Sequence, residues 1–530
     1  MPAIITDQFR ILNAETFVKS FVGIGTTGNN NFYTFLAHPD PQFTGVANYG
    51  TINWNTTPPD PRDSFQQESV YWDSMLFLKK VQQSDVTRVI PRIDWKAGTT
   101  YEMYRGSYDG DDLSPISGST TLYGSNFYVM NSEFRVYVCI NNGANPNSNG
   151  EKSLYEPKFI DEQTPQAAGD DGYLWKYMFT ISPSDIVKFA TAKYIPLPKT
   201  WGDNTTAIIK SAAVPGKLET IVIKNFGNNY AVDGNNDKTI SDISIDGDGT
   251  GALCEVGLNG GKISSVTVTN GGSGYTWARL RFEKDRSGTV ETGGGQGTGS
   301  VTAGSGAEFE VIVPPPGGHG ADVYKELGGY RVMVYSKYEN NVDDKADYIT
   351  DNSFSRVGIV RNPLRYDSTE LLNSTTATAL GALKLTGVGV SEAIFTNNTK
   401  ITQTVGLGQT AVAHVASWDK NTSVLKYYQP VGYSTLSAYS YDLHEFISSD
   451  ESSATIEGGS ISNALKTDVD FSSDAITINN KVVNLGQSFT GGVAPPDVKK
   501  YSGEIIYIDN RAAITRSDSQ KEEVKIVVEF

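Results

Sequence analysis

A glycine-rich run at residues 23–28, GIGTTG, matches the G-x-G-x-x-G pattern of dinucleotide-binding sites. Such a site needs a strand before the glycines and a helix after them, so that the pyrophosphate meets the helix N-terminus. In this chain a helical segment precedes the run, and three asparagines and a strand pattern follow it. Because this order is inverted, the run predicts a glycine-rich connector between a helix and a strand.

Two acidic stretches resemble calcium loops, DGDD at residues 109–112 and IDGDGTG at residues 245–251. A full calcium loop needs acids at fixed positions and a final glutamate that binds through both oxygens. Neither stretch supplies that set, and Asp-Gly turns at hairpin tips explain both. A structural cation bound at one of them is the alternative.

The remaining residues that could do chemistry are scattered. The histidines and cysteines are His38, His319, His414, His444, Cys139 and Cys254. Their spacing fits no zinc motif, and neither a G-x-S-x-G elbow nor a P-loop is present. Carboxylate pairs for glycoside cleavage are defined by distance in space, so the sequence neither predicts nor excludes one. We predict a protein that is not an enzyme, with no cofactor, bound transition metal or small-molecule substrate.

The segment VIPRIDW at residues 89–95 offers charge and aromatic surface at the end of a strand. Pro91 forces an extended conformation on the residue before it, and Arg92, Asp94 and Trp95 follow. Trp and Arg dominate binding hot spots, so these three residues could anchor an interface. An internal Arg92–Asp94 salt bridge capping the strand end explains them equally well.

Composition limits the classes of partner. The chain has 530 residues, with 44 Lys and Arg against 60 Asp and Glu, giving a net charge of -16. An acidic surface repels phosphate backbones, so we predict no nucleic-acid partner. No apolar run approaches the roughly 20 residues of a membrane helix, and no secretory signal is visible. With only two cysteines, no disulfide framework is expected, which fits folding in a reducing cytoplasm.

Turn formers interleaved with aromatic and β-branched residues predict a mainly β chain with a few short helices. Asn13, Ser64 and Ser182 are predicted helix caps, and the second helix is expected to carry Trp72 and Met75 in one buried stripe. Tyr173, Trp175, Tyr177 and Phe179 share one face of a predicted core strand. Further strands are predicted at residues 31–37, 127–140, 330–337, 504–508 and 524–530, with 504–508 buried on both faces.

An internal repeat marks a first insert at residues 217–316. LETIVIKNFGNNY at 218–230 aligns without gaps to ISSVTVTNGGSGY at 263–275, and GTGALCEV at 249 recurs as GSGAEFEV at 304. Two copies are too few for a solenoid, so a small β domain is predicted, ending at the Pro314–Pro316 run.

A second insert is predicted at residues 368–487. Within it, residues 411–418 and 423–428 flank DKNT and predict a β-hairpin, in a module that resembles a compact barrel. The predicted core domain then consists of residues 1–216, 317–367 and 488–530, folded together as a β-sandwich-type core with two inserted small β domains.

Three strings, in this order, resemble those of one protein family: VIPRIDW at 89, DDGYLWKYMFTI at 170, and SGEIIYIDNR at 502 with a terminal EEVKIVVEF. The family is the baseplate wedge subunit of T-even-like contractile-tailed phages, the gene product eight family. YGSNFYVMNSEFRVYVCI at 123 and SRVGIVRNP at 355 fit more weakly.

The resemblance implies a structural protein of the virion tail baseplate, synthesised and assembled in the host bacterial cytoplasm. It also implies a homodimer that contacts other baseplate wedge subunits and takes part in baseplate assembly and contraction. The alternative from another class is a glycan-binding or glycan-cleaving β protein, suggested by the Gly/Asn/Asp loops and abundant Tyr and Trp. Absence of a signal sequence and of disulfides counts against that alternative.

Overall fold

The structure is a computed structural model. It describes residues 4–22, 30–39, 54, 56–108, 116–292, 295–339, 348–349, 352–429, 444–461, 464–516 and 521–530. The glycine run at 23–28 and the acidic stretch at 109–112 lie outside these residues.

Five α-helices are described: α1 (Asp7–Val22), α2 (Phe65–Ser74), α3 (Pro183–Phe189), α4 (Ala207–Ala212) and α5 (Val323–Glu326). None of the described helices is long and apolar enough to cross a membrane.

Strands make up most of the regular structure. The first fifteen are β1 (Phe32–Ala37), β2 (Met75–Lys80), β3 (Val86–Pro91), β4 (Tyr128–Met130), β5 (Arg135–Asn142), β6 (Tyr173–Thr180), β7 (Tyr194–Pro196), β8 (Ile221–Val232), β9 (Thr239–Ser244), β10 (Asp246–Gly247), β11 (Thr250–Asn259), β12 (Lys262–Ser273), β13 (Ala278–Arg279), β14 (Ser287–Thr292) and β15 (Gly295–Val311). The others are β16 (Arg331–Glu339), β17 (Ser353–Arg361), β18 (Thr376–Thr378), β19 (Gly381–Gly387), β20 (Lys400–Gly406), β21 (Gln409–Asp419), β22 (Val424–Tyr428), β23 (Ile456–Glu457), β24 (Leu465–Thr467), β25 (Ala475–Ile478), β26 (Lys481–Asn484), β27 (Val493–Ala494), β28 (Glu504–Thr515) and β29 (Lys521–Glu529). The mainly β class with a few short helices and several sheets is confirmed.

The chain divides into two compact units. The first contains Met1–Val18, Thr87–Met333 and Val527–Phe530, and the second contains Lys19–Val86 and Val334–Ile526. These boundaries differ from the predicted domain ranges, which stay predictions.

In the first unit an antiparallel sheet with the order β4-β5-β6 lies in the centre of one core. Tyr173, Trp175, Tyr177 and Phe179 are buried there, as predicted. The opposite face of β6 is buried too, since Lys176 is 1% exposed. The unit also contains β7, paired antiparallel with β3.

Residues 217–316, the predicted first insert, contain a hydrophobic core of their own. Its six-stranded sheet has the order β12-β11-β9-β14-β15-β8, and all six strands come from within the predicted range. The two end strands are joined by backbone bonds beside them, from Leu218 N to Gly271 O and from Tyr230 N to Gly261 O, both 2.9 Å. The sheet therefore curls until its ends meet.

The sequence repeat is also a repeat in structure. Tyr230 Oη accepts a hydrogen bond from Ala307 N, and Tyr275 Oη accepts one from Ala252 N, both 3.2 Å. The equivalent glycines, Gly227 and Gly272, have nearly the same φ, +62° and +60°. The two halves thus pair β8 with β15 and β12 with β11 in the same way.

The second unit contains two main sheets. One has the order β18-β2-β1-β17-β28, and the other has the order β23-β20-β21-β22-β19-β24, with β27 beside β19. The predicted hairpin at 411–428 is confirmed as β21 and β22. Most of the second sheet comes from the predicted insert at 368–487.

Four local predictions were wrong. The single strand predicted at 127–140 is two strands, β4 and β5, because the chain turns at residues 131–134. Helix α1 begins at Asp7, so Asn13 lies inside it rather than capping it. Helix α2 is capped by Ser64 as predicted but ends at Ser74, because Met75–Lys80 pair with β1 as strand β2. Strand β28 lies at the end of its sheet's order and is only half buried, with Ile506 40% exposed.

Candidate interaction surface

The segment after β3 is held by backbone pairing on both sides. Arg92 N donates to Lys193 O at 2.8 Å, extending the pairing of β3 with β7. Beyond it, Met130 N donates to Ile93 O at 2.7 Å and Trp95 N donates to Met130 O at 2.9 Å. Pro91 ends the strand, and these bonds then fix the direction of the side chains that follow.

Arg92 and Asp94 form an ion pair at this position. Arg92 Nε lies 2.9 Å from Asp94 Oδ1 and 3.1 Å from Oδ2, and a second guanidinium nitrogen donates to Thr191 O at 3.2 Å. The two side chains are 28% and 43% exposed. The internal salt bridge at the strand end is therefore present, while the carboxylate keeps an accessible side.

Trp95 is half buried against the core of the first unit. Its Nε1 donates to Ser153 Oγ at 3.0 Å, and Ser153 is fully buried. Ser153 O in turn accepts from Gly98 N at 2.7 Å. Trp95 thus connects the 92–95 segment to the stretch that begins at Ser153.

That stretch presents three large apolar side chains to solvent. Leu154 is 56% exposed, Tyr155 43% and Ile160 60%. Large apolar side chains that are exposed close together in the sequence are candidates for an interaction surface.

The backbone under these side chains is fixed by polar groups of the core. Leu154 N and Tyr155 N both donate to Asp171 Oδ2, at 2.7 and 3.2 Å. Asn131 Nδ2 donates to Pro157 O at 2.8 Å, and Tyr137 Oη donates to Phe159 O at 2.6 Å. A stretch without regular secondary structure is therefore rigid, because side chains replace the missing ladder bonds.

We give the residues Asp94, Trp95, Leu154, Tyr155 and Ile160 the common name ledge. A pre-ordered apolar surface loses little conformational entropy when a partner covers it. The structure brings the predicted anchor Trp95 next to Ser153, and pairs the predicted anchors Arg92 and Asp94 with each other. The exposure of Leu154, Tyr155 and Ile160 could not be predicted, because apolar residues in a loop have the same sequence pattern whether they turn inward or outward.

A buried group of charged residues that was not predicted from the sequence lies beside both ends of the predicted 217–316 insert. His319 Nδ1 lies 2.6 Å from Glu326 Oε1, and Gly320 N donates to Glu326 Oε2 at 2.8 Å. Burial lowers the pKa of Lys176, while the carboxylates of Glu219 and Glu326 raise it. These residues come from β6 and from both connections of the insert, so the group holds the two connections together.

In the second unit, two of the scattered histidines contact the same tyrosine. The rings of His38 and His414 stack on Tyr428, with ring centroids 5.9 and 5.6 Å away. Within the described ranges, no three His, Cys, Asp or Glu side chains converge as ligands for a metal ion.

The acidic stretch at 245–251 uses its carboxylates internally. Asp246 accepts from Arg281 Nε at 2.6 Å and from Arg286 Nη2 at 2.9 Å. Asp248 accepts from the hydroxyl and the N–H of Thr276, and these bonds lower its pKa to about 2. The carboxylate oxygens that could bind a cation thus already accept hydrogen bonds from arginine side chains and from donors of the turn.

Comparison with known proteins gives one informative similarity. No protein-family model matches the chain. Over 215 residues it is 27% identical to the baseplate wedge protein gp8 of Enterobacteria phage T4. The aligned part is 37% of this chain and 60% of that protein, less than two thirds of its length. Part of this chain is therefore similar to a baseplate wedge protein of a phage.

Proposed function

We propose that this chain is a structural, non-enzymatic subunit of a phage tail baseplate wedge. The observation that carries the proposal is its similarity over 215 residues to the baseplate wedge protein of phage T4. The mainly β architecture with several small sheets supports it, since such a chain offers extensive fixed surface for neighbours. Its mechanism is then interface formation during baseplate assembly and contraction.

The finer parts of the proposal are a homodimer, contacts with other wedge subunits, and a place in the tail baseplate of the virion. The chain would reach that place after synthesis and assembly in the bacterial cytoplasm. Its acidic net charge of -16 favours partners with basic docking surfaces.

The ledge is the proposed contact with a neighbouring wedge subunit. Its apolar centre of Leu154, Tyr155 and Ile160 is exposed on a fixed backbone, and Asp94 provides a charged edge. This arrangement matches an interface core of large apolar side chains with a polar rim.

The test mixes the purified chain with the other baseplate proteins of the phage that encodes it and measures complexes by sedimentation velocity. We expect a stable complex with at least one of them. The double variant Leu154→Asp/Tyr155→Asp should weaken it at least about thirtyfold, because two anchors are lost. Leu407→Asp is the control, since Leu407 is a fully exposed apolar residue that lies in the second unit.

The outcomes separate the two claims. If no baseplate protein binds and the chain is missing from purified particles by mass spectrometry, the proposed function is wrong. If the complex forms but tolerates the ledge variant as well as the control, only the role of the ledge is wrong.

A further inference from the structure

A cavity of about 400 Å³ in the second unit has several aromatic side chains in its wall. Its volume lies within the range of about 300–1,000 Å³ that is typical of ligand-binding pockets. The aromatic residues of the wall are Tyr366, Tyr427, Phe446 and Tyr501. We call this space the tyrosine pocket.

Two of these rings are fixed by the packing of the sheet. Tyr427 and Phe446 are buried, and their ring centroids lie 4.7 Å apart. Tyr427 lies opposite Gly381 in the pairing of β22 with β19, and a Cβ on Gly381 would collide with the Tyr427 ring. Glycine at this position leaves room for the ring, so this part of the wall is pre-formed.

Another ring, that of Tyr501, is held by an uncommon backbone conformation. Tyr501 has a φ of +58° and is 44% exposed, and its hydroxyl donates to the buried Asp73 carboxylate. A positive φ is unusual for a bulky residue, and residues held in this way cluster at ligand sites. The strained backbone here presents an aromatic ring that is accessible to solvent.

Carboxylates give this aromatic space a negative potential. Glu445 and Asp367 both line it, and Tyr366 Oη donates to Glu445 Oε1 at 2.8 Å. Burial, together with the carboxylates of Glu445 and Asp367, raises the pKa of Tyr366 to about 12. Among the described residues, neither carboxylate forms an ion pair with a cation.

Two lysines also line the pocket, and neither pairs with these acids. Lys500 Nζ donates to Gln429 O at 2.9 Å and lies 3.9 Å from Asp73 Oδ1, so its charge is already matched. Burial lowers the pKa of Lys500. Lys499 is exposed to solvent. The charge available to a ligand inside the pocket is therefore that of the carboxylates.

We propose that the tyrosine pocket receives an arginine side chain from a neighbouring baseplate wedge subunit. The source of this side chain rests on the function proposed above. The face of an aromatic ring attracts a cation, and a planar guanidinium group can both stack on rings and donate two hydrogen bonds to one carboxylate. The net charge of -16 favours partners that present basic side chains.

The first experiment titrates the full chain with N-acetylarginine amide and follows binding by ligand-detected NMR. N-acetylcitrulline amide has nearly the same shape without the charge and is the matched probe. We expect the arginine probe to bind at least about tenfold more tightly, because only a cation gains from the rings and the carboxylates.

Variants then locate the binding. Glu445→Gln should weaken binding of the arginine probe at least about tenfold, because a charge-assisted hydrogen bond is lost. Glu392→Gln is the matched control, since Glu392 is an exposed glutamate of the same unit outside the pocket. Tyr501→Leu should weaken binding several-fold, whereas Tyr501→Phe keeps the ring and should bind like wild type. Equal thermal melting of the Glu445→Gln and Glu392→Gln variants excludes misfolding.

The inference is overturned if the arginine probe does not bind at millimolar concentration, if both probes bind equally, or if Glu445→Gln binds like wild type. The wedge-complex assay described above tests the source of the side chain. Glu445→Gln should weaken that complex at least about tenfold, and an unchanged complex overturns the assignment to a wedge subunit. If wild type forms no wedge complex while the arginine probe binds, the proposed function fails and the specificity of the pocket for a guanidinium group stands.

Discussion

Arg10 and Glu529, 519 positions apart in the sequence, form an ion pair with 3.0 Å between Nη2 and Oε1. Glu529 also accepts from Arg331 Nε at 3.0 Å, so one carboxylate faces two guanidinium groups. Both guanidinium groups stack on Tyr330, 4.1 and 4.4 Å from its ring centroid. These contacts thus connect helix α1 to the C-terminal end of strand β29.

We expect Glu529→Gln to lower the free energy of unfolding by about 1 kcal/mol. The Glu529 side chain is 47% exposed, so solvent screens the pair and the effect stays small. Urea denaturation at low and at high salt checks this prediction. The difference between wild type and variant should shrink in 1 M salt, and a difference that salt leaves unchanged would contradict an electrostatic origin.

A double-mutant cycle on Arg92 and Asp94 decides between their two interpretations. In the isolated chain the coupling between Arg92→Ala and Asp94→Ala should be below about 1 kcal/mol, since the pair is partly exposed. If these residues are also interface anchors, the same cycle measured on wedge-complex affinity should exceed about 2 kcal/mol. Equal coupling in both assays would leave only the internal salt bridge.

The tyrosines of the insert repeat leave no room beside their rings. A Cβ at Gly249 would lie 2.5 Å from the Tyr275 ring, whereas a Cβ at Gly234 would meet nothing within 4 Å. We expect Gly249→Ala to cost about 2–3 kcal/mol by overpacking. Gly234 has a φ of +80°, so Gly234→Ala should cost only about 1 kcal/mol for its backbone.

The control for this prediction is the same change in a Tyr275→Leu background. There the cost of Gly249→Ala should fall in part, because the ring is gone while Ser273 O, 2.6 Å from the same Cβ, remains. Thermal melts of the four variants give the comparison, and an undiminished cost would point to the backbone instead.

Local patterns predicted those elements whose partners are close by. Ser182 caps α3 by accepting from Asp185 N at 3.2 Å, and the alternating residues 263–275 form β12, which pairs with its sequence neighbour β11. Both depend on sequence rules that act within one turn or one hairpin.

Long-range contacts decided the elements that the sequence did not predict. The apolar run that begins at Met75 has helical spacing, but it pairs with β1, where strand hydrogen bonds and burial outweigh helix propensity. Helix α1 extends back to Asp7, where Arg10 meets Glu529. The ledge depends on Asp171 and Tyr137 holding a loop, and no local pattern encodes that.

Buried His414 should make the second unit sensitive to acid. Burial lowers its pKa below the ordinary 6.5, although Asn398 O faces its Nδ1 at 3.2 Å. Below pH 6.5 the unfolded chain then binds more protons than the folded chain, so the free energy of unfolding falls as pH falls through that window. Urea midpoints between pH 7.5 and 5 should decline less in His414→Gln, which keeps a donor in place. Parallel declines would assign the acid sensitivity to other groups.

The predicted 217–316 insert should be removable if the deletion keeps those of its residues that belong to the core of the β4-β5-β6 sheet. Val222 and Ile312 belong to the core of the β4-β5-β6 sheet, while most other apolar residues of the insert belong to its own core. Ile223 and Phe309 are paired neighbours on β8 and β15, so a short Gly/Ser linker between them can replace residues 224–308. Loop-closure cost changes slowly with length, and this variant should lose only about 1 kcal/mol.

Replacing all of 217–316 also removes Val222 and Ile312, which should cost about 1.5–3 kcal/mol for each side chain. Trimming residues 524–530 removes buried Ile526 and the Glu529 contacts and should cost several kcal/mol at the same rate. Thermal melts of the three deletions give the order. If the 224–308 replacement melts as low as the trimmed chain, the insert supports the core and is not a separate domain.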